Sequence, residues 1–301
     1  ASMPVSMTRL LIVFVTSCVW IASTAADDLP QPTWGRITLD SARPGVLTAD
    51  VVTFPKGDRL PLATPFPHLI RVSRTTPQGI HVDAFEFNRD ASQLHLVPRP
   101  LAGDVPRQFV LETADTSQSL ADGRIVLTAA DAKVHGATAR LESHPGNDRI
   151  GFWTNPDDSV SWEFNATRWG MYRVWLTYST ASPDGSEIEV ECSGARLAGD
   201  LRSTGSWYRY TSIDLGALYL VDAGRKTLTV RCAKQVGGAV MNLKAVILDP
   251  ACEGSPPVQA ADGVVTLHGR DATVHGLTLR YEPAEKKQTL GYWTRAEDRA
   301  E

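Results

Sequence analysis

The chain has 301 residues, with 30 Lys and Arg against 34 Asp and Glu, so its formal net charge is −4. This mildly acidic balance lacks the excess of positive charge that binding to nucleic acid requires, and we expect no nucleic-acid partner. The length predicts two or three domains.

Residues 1–26 have the organisation of a signal peptide. Arg9 precedes an apolar run at 10–22, which is shorter than the roughly 20 residues of a membrane-spanning helix, and small residues then offer a cleavage site before Asp27. We therefore predict a secreted or cell-surface protein. A lipid anchor at Cys18 is the alternative to ordinary secretion, because the residues before it resemble a lipoprotein box.

A β-rich segment follows a flexible lead-in at 27–35. Residues 36–113 contain short runs such as VLTADVVTF and GIHVDAFEF, which prolines and polar clusters separate. No helical period is present. We predict an all-β segment of uncertain fold, and its sequence indicates no function.

Residues 121–250 are predicted to form an antiparallel β-sandwich of the jelly-roll type. In MYRVWLTYS, Tyr172, Val174, Leu176 and Tyr178 alternate with polar or aromatic residues, as expected of a strand half-buried on one face. Similar runs recur between Gly-containing turns, without a helix. A Pro-rich linker is predicted at 251–260.

Part of this unit occurs twice. Residues 121–158 align without a gap to residues 261–298, and 16 of the 38 positions are identical. Residues 261–301 are thus predicted to be a truncated second copy, and we expect the chain to be a fragment of a longer protein.

The motifs IGFW, VSWEF, GMYRVWLTYS, STGSWYRY and MNLKAVILDP resemble those of β-jelly-roll carbohydrate-binding modules of the galactose-binding-like superfamily. The resemblance covers residues 123–250 and the truncated copy, but not the first 120 residues. Modules of this kind are appended to secreted glycoside hydrolases and sulfatases. The resemblance implies a polysaccharide or glycan partner.

The resemblance also implies a ligand site. In such modules a Tyr of a GY turn and a Trp of a TGGW strand enclose a sugar ring, and an Asn of the last strand binds its hydroxyls. The matching positions here are Phe152, then Trp207 or Tyr210, and Asn242. Two departures are Phe for Tyr in the turn and Ser206 for the second Gly. Core packing is the alternative role for Trp207.

The resembled modules carry a structural calcium, but we predict no metal or other cofactor here. Their first strand supplies a Glu ligand, whereas Ala130 and Arg270 stand at that position in the two copies. Asp131 and Asn242 alone are too few oxygen ligands for a hard cation.

The sequence contains no catalytic signature, so we predict that this chain is not an enzyme. It has no nucleophile elbow, zinc-protease, P-loop or dinucleotide motif. His135 and His275 are equivalent in the two copies, which favours a shared structural role. The run Glu187, Glu189, Glu191 alternates as a solvated strand face does.

Cys192 and Cys232 each end an alternating strand on its apolar side. We predict a disulfide between them, which would close a loop of about 40 residues and stabilise the fold by about 3 to 4 kcal/mol. Two buried free cysteines are the alternative.

Together these features predict a secreted, monomeric, non-catalytic carbohydrate-binding array, an accessory region of a larger polysaccharide-acting enzyme. The alternative is a structural or adhesive surface protein whose β-sandwiches act as spacers. The two differ in whether an exposed aromatic side chain lies beside polar groups that can bind a sugar.

Overall fold

The computed structural model describes residues 31–57, 59–64, 66–77, 79–101 and 107–251, and then 259–267, 269, 272, 274–275, 278–282, 287 and 289–300. The predicted signal peptide, Cys18 and Arg270 lie outside the described residues.

The described residues of the N-terminal unit, within the range 34–114, form seven strands. They are β1 (Gly35–Leu39), β2 (Val46–Val51), β3 (Leu60–Leu62), β4 (Leu69–Thr76), β5 (Gly79–Phe87), β6 (Leu94–Val97) and β7 (Gln108–Thr113). The antiparallel order is β1-β2-β7-β4-β5, and β6 joins β5 to β3. Alternation in the apolar runs gives this unit its own core, which includes Trp34, Phe85 and Phe109.

The second unit, residues 118–250, is the predicted β-sandwich and is called the sandwich below. Its strands are β8 (Gln118–Ser119), β9 (Ile125–Thr128), β10 (Lys133–His135), β11 (Arg140–Glu142), β12 (Arg149–Gly151), β13 (Ser159–Ala166), β14 (Gly170–Thr180), β15 (Ser186–Cys192), β16 (Ala195–Leu201), β17 (Ser206–Leu220), β18 (Gly224–Lys234) and β19 (Asn242–Pro250). One antiparallel sheet runs β17-β14-β19-β12-β11, with β9 beside β19, and the other runs β10-β13-β18-β15-β16. This arrangement confirms the all-β antiparallel sandwich.

The sandwich core lies between these two sheets. Trp162 on β13 and Val230 on β18 are buried together with Leu176 on β14 and Val246 on β19. Because side chains alternate across a strand, the polar row on β15 faces outward while Ile188 and Val190 point inward, as the sequence predicts.

Strand β14 differs from its expected half-buried pattern, because both of its faces are buried from Val174 to Thr180. The N-terminal unit covers the outer face. Trp175 and Ile247 of the sandwich pack there against Ile70 and Ala114, so the two units share an apolar contact.

Backbone pairing and buried charge also join the two units. Strand β5 pairs with β17, placing Phe85 opposite Tyr210. Arg71 of β4 is buried and lies 2.6 Å from Glu112 and 2.7 Å from Asp249 of β19. Separating the two units would leave Arg71 without the Asp249 carboxylate. Because an unpaired buried charge is costly, this contact favours the docked arrangement.

The predicted disulfide between Cys192 and Cys232 is wrong, because the structure has both as free cysteines. Strands β15 and β18 are neighbours, but Cys192 lies opposite Leu228 and Cys232 lies opposite Ile188. That register separates the two cysteines by four residues along the strands, or about 13 Å. A disulfide requires Cα atoms within about 7 Å.

The described residues after the sandwich form four short strands. They are β20 (Val274–His275), β21 (Arg280–Glu282), β22 (Thr289–Gly291) and β23 (Arg299–Ala300). Leu279 is buried against Trp169 of the sandwich. The described residues contain no helix long and apolar enough to cross a membrane.

Candidate functional site

A cleft of about 280 Å³ lies at one end of the sandwich, where β12 ends and β17 and β19 begin. Three residues singled out in the sequence, Phe152, Trp207 and Asn242, line it together. The full set of described lining residues is Glu142, Arg149, Phe152, Trp153, Thr154, Trp207, Tyr208, Ala239, Met241 and Asn242.

Phe152 follows β12 directly and presents its ring to solvent. Its side chain is 50% exposed although its backbone has φ of 53°. A bulky residue seldom adopts positive φ, and such strain persists only where surrounding contacts impose it. The Arg140 guanidinium lies 3.7 Å from the ring centroid and covers one face. Tyr292, which the sequence alignment places opposite Phe152, also has positive φ, of 56°, and is half-exposed.

Asn242 connects the start of β19 to the start of β17. Its Nδ2 donates a hydrogen bond of 2.8 Å to the carbonyl oxygen of Trp207, and Ser179 Oγ donates a second of the same length. These bonds fix the backbone that carries the partly exposed Trp207 ring. They also orient the Asn242 amide, so that its Oδ1 can accept a hydrogen bond within the cleft.

Glu142 and Arg149 add a charged pair, with Arg149 Nε donating to Glu142 Oε2 at 3.0 Å. Gly151 makes room for this pair. A Cβ at Gly151 would lie 2.2 Å from Glu142 Oε2 and 3.0 Å from Asn242 Oδ1, so a larger residue would displace the Glu142 carboxylate from its present position. The Arg149 guanidinium also lies 5.9 Å from the Tyr208 ring centroid.

Sequence reasoning missed Glu142, Arg149 and Tyr208 as site residues. Glu142 did carry a signal, because it is identical to Glu282 in the aligned copy. Arg149 carried none, since Thr289 stands at its equivalent position.

Tyr210, the alternative to Trp207 as the sugar platform, does not line the cleft. It is fully buried and stacks on Phe85 of the N-terminal unit, with ring centroids 5.4 Å apart. This burial raises the pKa of the Tyr210 hydroxyl to about 12. A platform must expose a ring face, so Tyr210 is a core residue because the N-terminal unit covers it.

Asp158 supports the turn that carries Phe152. Its buried carboxylate accepts hydrogen bonds from the Ala137, Thr138 and Ala139 amides, the Thr138 hydroxyl and the Asn155 side chain. Burial alone would raise the pKa of Asp158, but these bonds lower it to about 2. Asp298, its equivalent, likewise accepts from the amides of Thr278 and Leu279.

The residue types in this cleft suit a neutral, hydroxyl-rich ligand. Aromatic faces alternate with an amide, a carboxylate and a guanidinium, which together offer apolar contact and both donors and acceptors. Within the described ranges, no group of three or more His, Cys, Asp or Glu side chains is placed to hold a metal ion.

No family model matches this sequence, and no curated protein matches it either. Several solved structures are similar to part of this chain. A family 35 carbohydrate-binding module from Clostridium thermocellum is 18% identical with a TM-score of 0.36, over 42% of this chain and 96% of that one. A Podospora anserina GH26-CBM35 β-(1,4)-mannanase is 17% identical with a TM-score of 0.36, over 45% of this chain and 29% of the mannanase.

Carbohydrate-binding modules are thus among its structural neighbours. Another is the module CBM6cm-2 of Cellvibrio mixtus lichenase 5A, in complex with cellotriose. It is 17% identical with a TM-score of 0.34, over 41% of this chain and 95% of the module.

Proposed function

We propose that this chain is a secreted, non-catalytic protein that binds a polysaccharide or glycan in the cleft between Phe152 and Trp207. The observation that carries the proposal is the half-exposed Phe152 ring, held at positive φ beside the oriented amide of Asn242. Sugars have apolar C–H faces and polar rims, so aromatic faces beside hydrogen-bonding groups match their chemistry.

The carboxylates of the cleft favour binding over hydrolysis. Glycoside hydrolysis uses a pair of Asp or Glu side chains that flank the scissile bond. Among the described lining residues, Glu142 alone has a carboxylate, and Arg149 holds it in an ion pair.

The secreted location and the array organisation are parts of the same proposal. The signal-like sequence at 1–26 supports export. Tyr292 presents a half-exposed ring at the position equivalent to Phe152, which supports a second binding unit after the sandwich. We further propose that the chain serves as an accessory region of a polysaccharide-acting enzyme.

The test is a glycan array followed by calorimetric titration of the best ligand with the full chain. Phe152→Ala, Trp207→Ala and Asn242→Ala should each weaken binding at least about tenfold, since each removes a contact of about 1.5 kcal/mol or more. Phe54→Ala is the matched control, because Phe54 is 44% exposed but lies outside the cleft. If no glycan on the array binds the wild-type chain, carbohydrate binding is rejected and the structural role, in which the β-sandwiches act as spacers, is favoured.

A further inference from the structure

A second cavity, called the seam cavity here, lies between the N-terminal unit and the sandwich and has a volume of about 390 Å³. Residues 97–100, which follow β6, form one wall. Residues 200–204, between β16 and β17, and residues 209–213 of β17 form the other. Because both units contribute, this cavity exists only when they are docked.

Three arginines line the seam cavity. Arg209 lies 3.0 Å from Glu86, which Arg59 also contacts at 3.0 Å. Arg99 and Arg202 have no carboxylate within ion-pair distance among the described residues, and Asp200 is the lining residue that carries negative charge. The cavity therefore has a surplus of positive charge, in a chain whose formal net charge is −4.

The backbones of both unpaired arginines are fixed. The Arg99 amide donates to Asp83 Oδ1 at 2.8 Å, and the Arg99 carbonyl accepts from Arg74 Nη2 at 2.7 Å. Arg74 and Asp83 are themselves a fully buried ion pair. Across the cavity, the Arg202 amide donates to the Tyr178 hydroxyl, which donates in turn to the Arg202 carbonyl. Rigid attachment lowers the entropy cost of binding.

Both arginines line the cavity beside the Tyr178 hydroxyl. Burial raises the pKa of this hydroxyl and the Asp184 carboxylate adds to the rise, whereas the hydrogen bond with the Arg202 backbone and the positive charges of Arg99 and Arg202 oppose it. Arg99 also donates to the Thr211 hydroxyl at 2.8 Å. Val97 and Ile213 add apolar surface beside these groups.

We propose that the seam cavity binds an oxyanion-bearing sugar, in which the sulfate ester or carboxylate contacts Arg99 and Arg202. A guanidinium matches the geometry of both oxyanions and binds them with two parallel hydrogen bonds. The apolar wall can contact the C–H face of the ring, and the volume fits one or two sugar units. This proposal rests on the carbohydrate-binding function proposed above, and it gives the N-terminal unit a role in ligand binding.

The experiment measures binding of the full chain to three oligosaccharides, a sulfated galactan, its desulfated counterpart and a polyuronate. Arg99→Gln and Arg202→Gln should each weaken binding of an oxyanion-bearing oligosaccharide at least about tenfold, with an unchanged melting temperature. Arg196→Gln is the control for net charge, because Arg196 is exposed on β16 but does not line the cavity. Trp207→Ala, in the first cleft, should retain this binding.

The readouts separate the two proposals. Loss of neutral-glycan binding in Trp207→Ala reports on the first cleft, whereas loss of oxyanion-dependent binding in Arg99→Gln and Arg202→Gln reports on the seam cavity. Binding of either the sulfated or the uronate probe with this pattern supports the proposal and identifies which oxyanion is preferred. Binding of neither probe, or an equal loss in Arg196→Gln, would overturn it.

Discussion

Lys244 makes the stability of this protein depend on pH near neutrality. It lies on β19, is 2% exposed, and its Nζ is 5.2 and 5.3 Å from the ring centroids of Phe87 and Tyr210. Burial lowers the pKa of Lys244 from 10.5 to about 7. The nearby Asp148 carboxylate opposes this effect and Arg149 adds to it.

The sign of the effect follows from proton binding. Between pH 7 and 10.5 the unfolded chain holds a proton on Lys244 that the folded chain has released, so the free energy of unfolding rises with pH in this range. Lowering the pKa of Lys244 from 10.5 to about 7 corresponds to a penalty of about 5 kcal/mol at low pH. Roughly 2 kcal/mol of it is relieved between pH 7 and pH 9.

Lys244→Met isolates this contribution, since Met keeps the length and apolar stem of the side chain. The variant also loses the Nζ contacts with Gly146 O at 3.4 Å and Asn147 Oδ1 at 3.3 Å. At each pH we take the free energy of unfolding of Lys244→Met minus that of wild type. This difference should be about 2 kcal/mol larger at pH 7 than at pH 9.

The assay is urea unfolding of both proteins at pH 7 and pH 9, followed by tryptophan fluorescence. Comparing the two proteins cancels the titration of other groups, including the cysteines. Lys234→Met, which removes an exposed lysine on β18, is the control. If the difference from wild type changes with pH no more in Lys244→Met than in Lys234→Met, the reasoning about burial is refuted.

Four other outcomes are expected. Asp158→Ala should lower the free energy of unfolding by at least about 3 kcal/mol, because it leaves buried amide donors without an acceptor. An unchanged melting curve would show that Asp158 does not hold the turn. In wild type, the Asp158 contribution should disappear as the pH falls from about 3.8 towards 2. Alkylation of the unfolded, unreduced protein should label both Cys192 and Cys232. If neither cysteine is labelled, the two form a disulfide after all. A fragment of residues 121–252 should melt well below the full chain, because it exposes Trp175 and Ile247; an equal melting temperature would contradict the shared contact.

The alternation of apolar residues was sufficient to predict the all-β fold and the sandwich core, because a strand buried on one face has an apolar side chain at every second position. The pattern could not show that a second unit covers the outer face. Trp175 therefore reads as exposed in the sequence but is buried, and Tyr210 reads as a platform although Phe85 covers it.

The site was partly predictable for a related reason. Phe152, Trp207 and Asn242 sit in motifs that carry a resemblance, and they line one cleft. Glu142 and Arg149 enter it because β11 and β12 form a hairpin at the edge of β19. Strand neighbours of that kind depend on tertiary pairing, as does the register that separates Cys192 from Cys232.

The central claim is that the Phe152–Trp207 cleft binds a glycan, and one titration tests it most directly. Wild type and Trp207→Ala are titrated with the best ligand from a glycan array, with melting temperatures measured in parallel. We expect wild type to bind and Trp207→Ala to lose at least about tenfold in affinity at an unchanged melting temperature. Equal affinity in the two proteins would contradict the claim.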